Sequence, residues 1–260
     1  MQKINIIDSQ AIETRLNINQ NSLKNFDEWS VSIFPKLSFG SKILDLGCGT
    51  GKQILLFAKF LTDKFTFYAL DISEESLKKL QKVYNCLPKL NLINGSFDEL
   101  KRYFIENEIF DLIYSFYALY YTQKLEEVVC CAFDLLKKGG IFWIVGPFVG
   151  TNRELFEIIE KYYQIDEKIL YSLWNFYYDL QNAAYKAGFN KIEFDFFENV
   201  VFFEKIEKIK NYYRNTTFYS EKYEKLIMLD IEKVFEKRGI FQLTKNVISI
   251  KFFKNGPQND

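Results

Sequence analysis

The run Lys42-Ile43-Leu44-Asp45-Leu46 ends in Gly47-Cys48-Gly49-Thr50-Gly51, three glycines within five residues directly after a mostly apolar stretch. A short apolar run of this kind reads as a buried strand. Glycines behind it permit positive φ and a backbone approach that side chains would block. The pattern predicts a strand, a tight loop and a helix opening at Lys52, which is the repeating unit of an alternating strand-helix fold. It also presents bare backbone to a ligand and so limits what that ligand can be.

Alternation continues through the first 150 residues. Strands are predicted at Ile43 to Leu46, Thr66 to Leu70, Leu90 to Ile93, Asp111 to Ser115 and Ile141 to Val145. Helical periodicity lies between them at Lys52 to Leu61, Glu74 to Cys86, Phe97 to Phe104 and Leu125 to Leu136, with Gly139 and Gly140 expected to end the last helix. Units of this kind build a parallel sheet with helices on both faces. Past Pro147 the pattern changes. Thr151-Asn152-Arg153-Glu154 reads as a capping box opening a helix, and helical sequence rich in tyrosine and tryptophan runs to about Ala187. A sixth strand in GFNKIEFDFF, helices in FEKIEKIKNYYRN and SEKYEKLIMLDIEKVFEKRG, and a seventh strand in NVISIKFF complete the reading. The expected organisation is an N-terminal helical cap over 1–40, a ligand-binding core over 41–150, and lid helices with the last two strands over 151–260, completing the same domain. Lys3 to Asn25 is expected to be partly mobile and the polar tail KNGPQND disordered.

Composition removes several function classes. The 34 basic and 34 acidic side chains cancel, so no overall positive field draws the chain to nucleic acid or anionic membranes. The sequence holds no histidine, which excludes histidine-based triads and ordinary zinc sites, and no metal is expected. Cys48, Cys86, Cys130 and Cys131 form neither CxxC pairs nor a disulfide framework, and no basic-then-apolar leader or roughly 18-residue apolar span is present. A reduced, cytoplasmic setting is expected. The 27 Phe and 17 Tyr reflect a general compositional bias, so a single aromatic is weak evidence of binding.

Two phosphate-binding readings of the glycine loop fail at specific positions. A dinucleotide fingerprint needs a third glycine where Lys52 stands. A P-loop needs glycine at Leu46 and Ser or Thr at Gln53. The remaining pattern, D-x-G-x-G-x-G after a strand, resembles the first motif of the class I S-adenosylmethionine-dependent methyltransferases. The resemblance extends from Lys42 to Pro147 and more loosely through the last strands. It implies a Rossmann-like, mostly parallel seven-stranded α/β sheet with helices on both faces, plus N-terminal and late helical lid segments.

It also implies a set of roles. Asp45, Gly47, Cys48, Gly49 and Gly51 would form the S-adenosylmethionine loop. Asp71 in FYALDIS, 24 residues after Gly47, would accept hydrogen bonds from the ribose, with Ile72 beside it; an isolated aspartate there would otherwise read as a helix or turn cap. In NGSFDEL the family often has an acid where Ser96 stands, so Ser96 and the Phe97 N–H are the expected adenine contacts, with Asp98 either a further contact or a cap. Ser115 and Phe116 in DLIYSFYALYY would line the cofactor, and Trp29 in NFDEWSVSIF would close over it.

For the acceptor, Tyr117, Tyr120 and Tyr121 are the candidate catalytic residues, since many relatives carry histidine in that turn. A tyrosine there could orient an acceptor by a hydrogen bond or stabilise a cation by its ring, or simply pack. Tyr117, Tyr121, Phe148, Trp174 and Tyr178 are the candidate acceptor-binding residues; Asp179, Glu154 and Tyr178 are possible bases. Trp174, Tyr177 and Tyr178 share a helical spacing that also suits core packing. Methyl transfer from a sulfonium is an in-line displacement governed by positioning, and an amine that binds neutral needs no strong base. The expected function is methylation of a small polar metabolite: an amine, amino sugar or sugar-pathway intermediate. The alternatives are an RNA or protein methyltransferase, disfavoured by zero net charge and by YSFYAL in place of an Asn/Asp-Pro-Pro-Tyr motif, and a protein that binds the cofactor without turnover.

Overall fold

Five buried or half-buried strands in one register set up the sheet. The computed structural model describes residue 14 and residues 22–61, 65–84 and 89–254. Expectations for most of the chain before residue 22, for Cys86 and for the tail after residue 254 lie outside the described residues. β1 (Lys42–Leu46) pairs in parallel with β2 (Thr66–Asp71), Lys42 beside Thr66 through Leu46 beside Leu70, and on its other side with β4 (Phe110–Phe116). β2 pairs in parallel with β3 (Leu90–Asn94), and β4 with β5 (Leu136–Pro147). Leu46 and Leu70 are register partners, so the loop after β1 and the acid ending β2 emerge side by side. Four of the five residues of β1 are buried, as expected for a central parallel strand covered on both faces.

The full strand order is β3-β2-β1-β4-β5-β9-β6, with β6 at Lys191–Phe197 and β9 at Val247–Phe253. β9 runs against β5. Gly139 N–H donates to the Lys254 carbonyl, Trp143 Nε1 to Ser249 Oγ at 2.8 Å and Phe148 N–H to the Asn246 carbonyl, so one strand descends as the other rises. This is the seven-stranded, mostly parallel Rossmann-like sheet expected from the sequence.

The chain separates into two compact units. One holds residues 30–146, 176–196 and the chain from Ile248, and with them the sheet. Its helices are α2 (Lys52–Ala58), α3 (Glu74–Val83), the single turn α4 (Leu100–Tyr103), α5 (Leu125–Leu135) and most of α8 (Asn175–Ala187). Ser73 caps α3 by accepting from Ser76 N–H at 3.2 Å, with Glu74 and Glu75 in the first turn. Much of the aromatic content is spent here: Phe57, Tyr114, Phe116 and Trp143 are buried and pack ring to ring at 4.9–6.3 Å. Burying each such side chain contributes on the order of 2 kcal/mol.

The other unit contains the chain up to Trp29, Pro147–Asn175 and Phe197–Val247. It has α1 (Phe26–Ser32) in part, α6 (Arg153–Ile159), α7 (Glu167–Leu173), α9 (Ile206–Arg214) and α10 (Glu224–Arg238). An antiparallel pair, β7 (Val200–Phe203) and β8 (Phe241–Thr244), was not anticipated from the sequence. The two strands stand 37 residues apart, with both helices between them, so no local turn announces the pairing. Leu155, Phe203, Ile209, Tyr213, Ile227, Ile231 and Leu243 lie in the core of this unit.

Three local expectations are corrected. Gly139 and Gly140 do not end α5, which stops at Leu135 and passes straight into β5. Instead Lys137 to Gly140 form an irregularity between the register pairs Phe110–Leu136 and Leu112–Ile141, with Gly139 at φ +75 and Lys137 Nζ reaching Asp111 at 2.8 Å. The predicted capping box at Thr151 is not made. Thr151 Oγ1 donates to the Asn246 carbonyl, and the residue before α6 is Asn152 at φ +60 with no side-chain cap. The Phe97 to Phe104 helix is a 3-10 turn over Phe97–Glu99 followed by the one turn of α4.

Candidate active site

The three loop glycines adopt left-handed conformations, φ +78 at Gly47, +53 at Gly49 and +79 at Gly51. They do so for different reasons. A Cβ on Gly47 would overlap the Ala118 methyl, and one on Gly51 would overlap the end of Leu80 from α3. A Cβ on Gly49 would have no described atom within 4 Å. Gly47 and Gly51 are therefore closed in by the protein, whereas Gly49 opens outward.

Asp71 holds that loop to β2. Its Oδ2 accepts from Gly49 N–H at 2.7 Å and its Oδ1 from Ser73 N–H at 2.8 Å. Its backbone carbonyl accepts from Gly95 N–H and from Asn94 Nδ2, joining the β3 turn to the same point. Gly47 and Cys48 N–H groups both donate to the Leu70 carbonyl. A carboxylate has about four lone-pair positions, so Asp71 can accept further bonds from a vicinal diol while keeping both backbone donors. Ile72 beside it is 62% exposed, an apolar surface next to the acid.

Beneath the loop lies a buried polar group of a different kind. Asp45 is 2% exposed, and burial raises its carboxyl well above the usual carboxylate range; the adjacent Tyr114 hydroxyl opposes this and the Asp71 charge adds to it. The Tyr114 hydroxyl itself is buried without a hydrogen bond of ordinary geometry. Burial, followed by the Asp45 and Asp71 charges, pushes the Cys48 thiol up, so it stays protonated.

In the β3 turn, Ser96 Oγ accepts from Asp98 N–H at 3.1 Å and starts the 3-10 turn. The Asp98 carboxylate accepts from Thr122 Oγ1 and from Gln123 N–H, which fastens this turn to the one after β4. Asp98 is thus committed to the protein, and the Phe97 ring stands against Gly47. Two of the expected cofactor residues turn inward. Ser115 is fully buried and donates to the Leu46 carbonyl at 2.7 Å, bracing β4 against β1, and Phe116 is a core ring at 4.9 Å from Trp143. Only backbone atoms of Ser115 could meet a ligand.

The turn after β4 is strained. Tyr117 has φ +56, rare for a bulky side chain, with its N–H held by the Val145 carbonyl at 2.8 Å. Around it gather Tyr120 and Tyr121 with ring centroids 4.5 Å apart, Phe176 at 6.1 Å from Tyr120, and Tyr177 at 5.1 Å from Phe176. Tyr177 is buried over Gly146: a Cβ there would stand 2.5 Å from its hydroxyl. Burial, and then the neighbouring Tyr117, raise the Tyr177 phenol well above its ordinary range. It remains neutral and can donate a hydrogen bond at any physiological pH. The sequence offered Tyr177 only as part of a helical stripe. Ala118, which closes over Gly47, carried no sequence signal at all.

The remaining candidates are placed as follows. Tyr178 and Asp179 are exposed on α8. In the other unit, Trp29 packs against Phe26 at 5.5 Å and Phe197 at 5.0 Å, and Phe148 against the 58% exposed Trp174 at 5.7 Å. Glu154 is a poor base. Its two oxygens accept from Thr244 Oγ1 and N–H, and although burial alone would raise its pKa, these bonds and Arg153 bring it below the usual value.

A glycine cradle at the carboxyl end of β1, opposite an acid at the end of β2, is the arrangement with which open α/β sheets can hold a nucleoside cofactor. Residues 37–181, more than half of the chain, match the family model described as a methyltransferase domain, and the chain belongs to that family. Its fold is that of the class I enzymes, whose methyl donor is S-adenosylmethionine. Among curated proteins it is similar to 24-methylenesterol C-methyltransferase 3 of Arabidopsis thaliana, 32% identical over 125 residues, 48% of this chain and 34% of that one. It is also similar to sterol 24-C-methyltransferase of Clavispora lusitaniae, 29% identical over 120 residues, 44% of this chain and 31% of that one. The chain thus spans about a third of the length of these relatives. Two solved structures share the fold. One, from Bacillus halodurans and provisionally assigned as a methyltransferase, is 18% identical with a TM-score of 0.63, covering 89% of this chain and 99% of that one. The other is phosphoethanolamine N-methyltransferase 2 of Haemonchus contortus in complex with S-adenosyl-L-methionine, 16% identical with a TM-score of 0.60, covering 98% of this chain and 59% of that one. No helix among the described residues is long and apolar enough to cross a membrane.

Proposed function

We propose that this chain binds S-adenosylmethionine in the Gly47–Gly51 cradle and transfers its methyl group to a small polar molecule, an amine that binds neutral being the acceptor its side chains suit best. The observation that carries the cofactor half is the pairing of Gly49 with Asp71: an open-sided glycine whose N–H is fixed by a carboxylate that keeps lone pairs for a ribose. The bound donor supplies an electrophilic methyl carbon. The chain's own part is to hold the acceptor in line with it and to exclude water. Tyr117, Tyr120, Tyr121 and Tyr177 offer rings and phenols and no carboxylate, a setting that accommodates an alkylammonium product by cation–π contact of roughly 0.5–2 kcal/mol. A neutral phenol with a raised pKa orients a nucleophile by hydrogen bonding rather than by taking its proton.

The similar proteins are named for sterol carbon and phosphoethanolamine nitrogen as methyl acceptors, so the acceptor assignment rests on this chain's own residues. The test is thermal denaturation with S-adenosylhomocysteine, where a ligand at 100 times its Kd adds about 2.7 kcal/mol. A clear rise in Tm is expected in the wild type and a much smaller one in Asp71→Ala; absence of a rise in the wild type at millimolar ligand refutes the cofactor assignment. S-adenosylhomocysteine production with amine, sugar, nucleotide and RNA acceptors then separates the amine reading from the others.

A further inference from the structure

Lys245 carries a charge that the described protein does not neutralise. It is half-buried in the link between β8 and β9, its N–H donating to the Asn199 carbonyl at 2.9 Å. Its ammonium donates to Asn152 Oδ1 at 3.0 Å and to the Tyr212 hydroxyl at 2.9 Å, and the Tyr212 hydroxyl donates to the same Asn152 oxygen at 2.9 Å. Both partners are neutral and nearly inaccessible, Tyr212 at 2% and Asn152 at 6% exposure. No carboxylate of the described residues lies within ion-pair distance of Lys245. The nearby Glu154 is held by Thr244 and Arg153. The two buried lysines among the described residues do have acids: Lys251 has Asp195 at 3.3 Å and Lys254 has Glu108 at 3.6 Å.

A half-buried ammonium whose neighbours are all neutral gains a charge-assisted bond when an anion arrives. The donor count points the same way. Lysine can only donate, so the Asn152 atom facing it is the carbonyl oxygen, which leaves the amide nitrogen of the same group without a hydrogen-bond acceptor among the described residues. One ammonium N–H and the two amide N–H groups are uncommitted, beside one positive charge. All three residues belong to one unit of the chain, the β7–β8 unit.

We infer that Lys245, Asn152 and Tyr212 form a recognition site for a small oxyanion, a carboxylate or a phosphate group. The anion would take a charge-assisted bond from Lys245 and a bond from the Asn152 amide, with Tyr212 holding both donors in place. This assignment is independent of the methyl-transfer reading, since it rests on the donor set alone.

The test is titration of the full chain with inorganic phosphate and with acetate, read as Tm at ionic strength held constant with sodium chloride, so that general screening is subtracted. The wild type is expected to be stabilised in a saturable way. Lys245→Met should raise the apparent Kd at least tenfold, and Asn152→Gly, which keeps the left-handed backbone without strain, should raise it several-fold. Lys245→Arg should retain most of the binding. Equal stabilisation of the wild type and Lys245→Met, or none in the wild type beyond the chloride control, would overturn the inference. The two titrations separate the sources of the anion: tighter binding of phosphate than of acetate assigns a phosphate group to the site, and the reverse assigns a carboxylate.

Discussion

Alanine at two loop glycines separates the cost of closing the cradle from the cost of building it. At Gly49, φ +53 puts an L-residue in the left-handed region, about 1–2 kcal/mol worse than glycine, offset by roughly 0.4–1 kcal/mol because alanine also loses freedom in the unfolded chain. With no described atom within 4 Å of the new methyl, no packing cost is added, and the net loss is about 1 kcal/mol, or roughly 2–4 °C in Tm. At Gly47 the same backbone cost applies at φ +78, but the methyl meets Ala118 Cβ, and overpacking of this kind adds about 1–3 kcal/mol. Gly47→Ala should therefore lose about 2–4 kcal/mol, roughly 5–15 °C. Affinity for S-adenosylhomocysteine, measured by calorimetry well below both midpoints, should fall in Gly49→Ala by more than tenfold, about 1.4 kcal/mol, because the methyl occupies the open side on which the ligand lies. If Gly49→Ala binds within twofold of the wild type, the open side of Gly49 is not the ligand side and the cradle argument fails. If the two variants are equally stable, the reading of Gly47 as closed in by Ala118 is wrong.

Two further perturbations test other contacts. Gly146→Ala brings a methyl to 2.5 Å from the Tyr177 hydroxyl and should cost about 1–3 kcal/mol; in a Tyr177→Phe background the obstructing oxygen is gone, so the same substitution should cost clearly less in urea denaturation, and an identical cost in both backgrounds would show that the phenol does not lie over Gly146. Asp230, bonded to Lys233 at 2.7 Å and to Lys161 and Tyr162 at 3.0 Å, has its carboxyl lowered from 3.8 to about 2, mainly by those lysines. A depressed pKa gives stabilisation that is complete above the unfolded value and is lost as pH falls through the folded one. Tm should therefore decline less steeply between pH 3.8 and about 2 in Asp230→Asn than in the wild type, and parallel curves would remove Asp230 from the acid response.

Much of the candidate site was legible because its parts are local. Gly47, Gly49 and Gly51 follow a strand within five residues, and Asp71 ends the next strand, so period and punctuation suffice to place them. What was misread depended on partners distant in sequence. Thr151 and Glu154 have the spacing of a capping box, yet Thr151 is drawn to the Asn246 carbonyl and Glu154 to Thr244, some 90 residues away, and these bonds outcompete the local cap. Lys137 to Gly140 resemble a helix terminator but open a strand, because Leu136 is already paired with Phe110. The roles of Ser115 and Phe116 follow from motif position, whereas β4 is covered on both faces, so these two side chains, on opposite faces of the strand, are both buried.

By itself the sequence determined the alternating strands and helices, the left-handed glycine loop and the place of the acid at the end of the next strand, since each follows from dihedral freedom or hydrophobic period over a few residues. Only the tertiary structure decided that Gly47 is closed by Ala118 while Gly49 is open, that Tyr177 covers Gly146, that β7 finds β8 across 37 residues, and that the Lys245 ammonium meets Asn152 and Tyr212. These are contacts between segments far apart in the chain. Their geometry is set by how whole elements pack, which no local pattern of residues encodes.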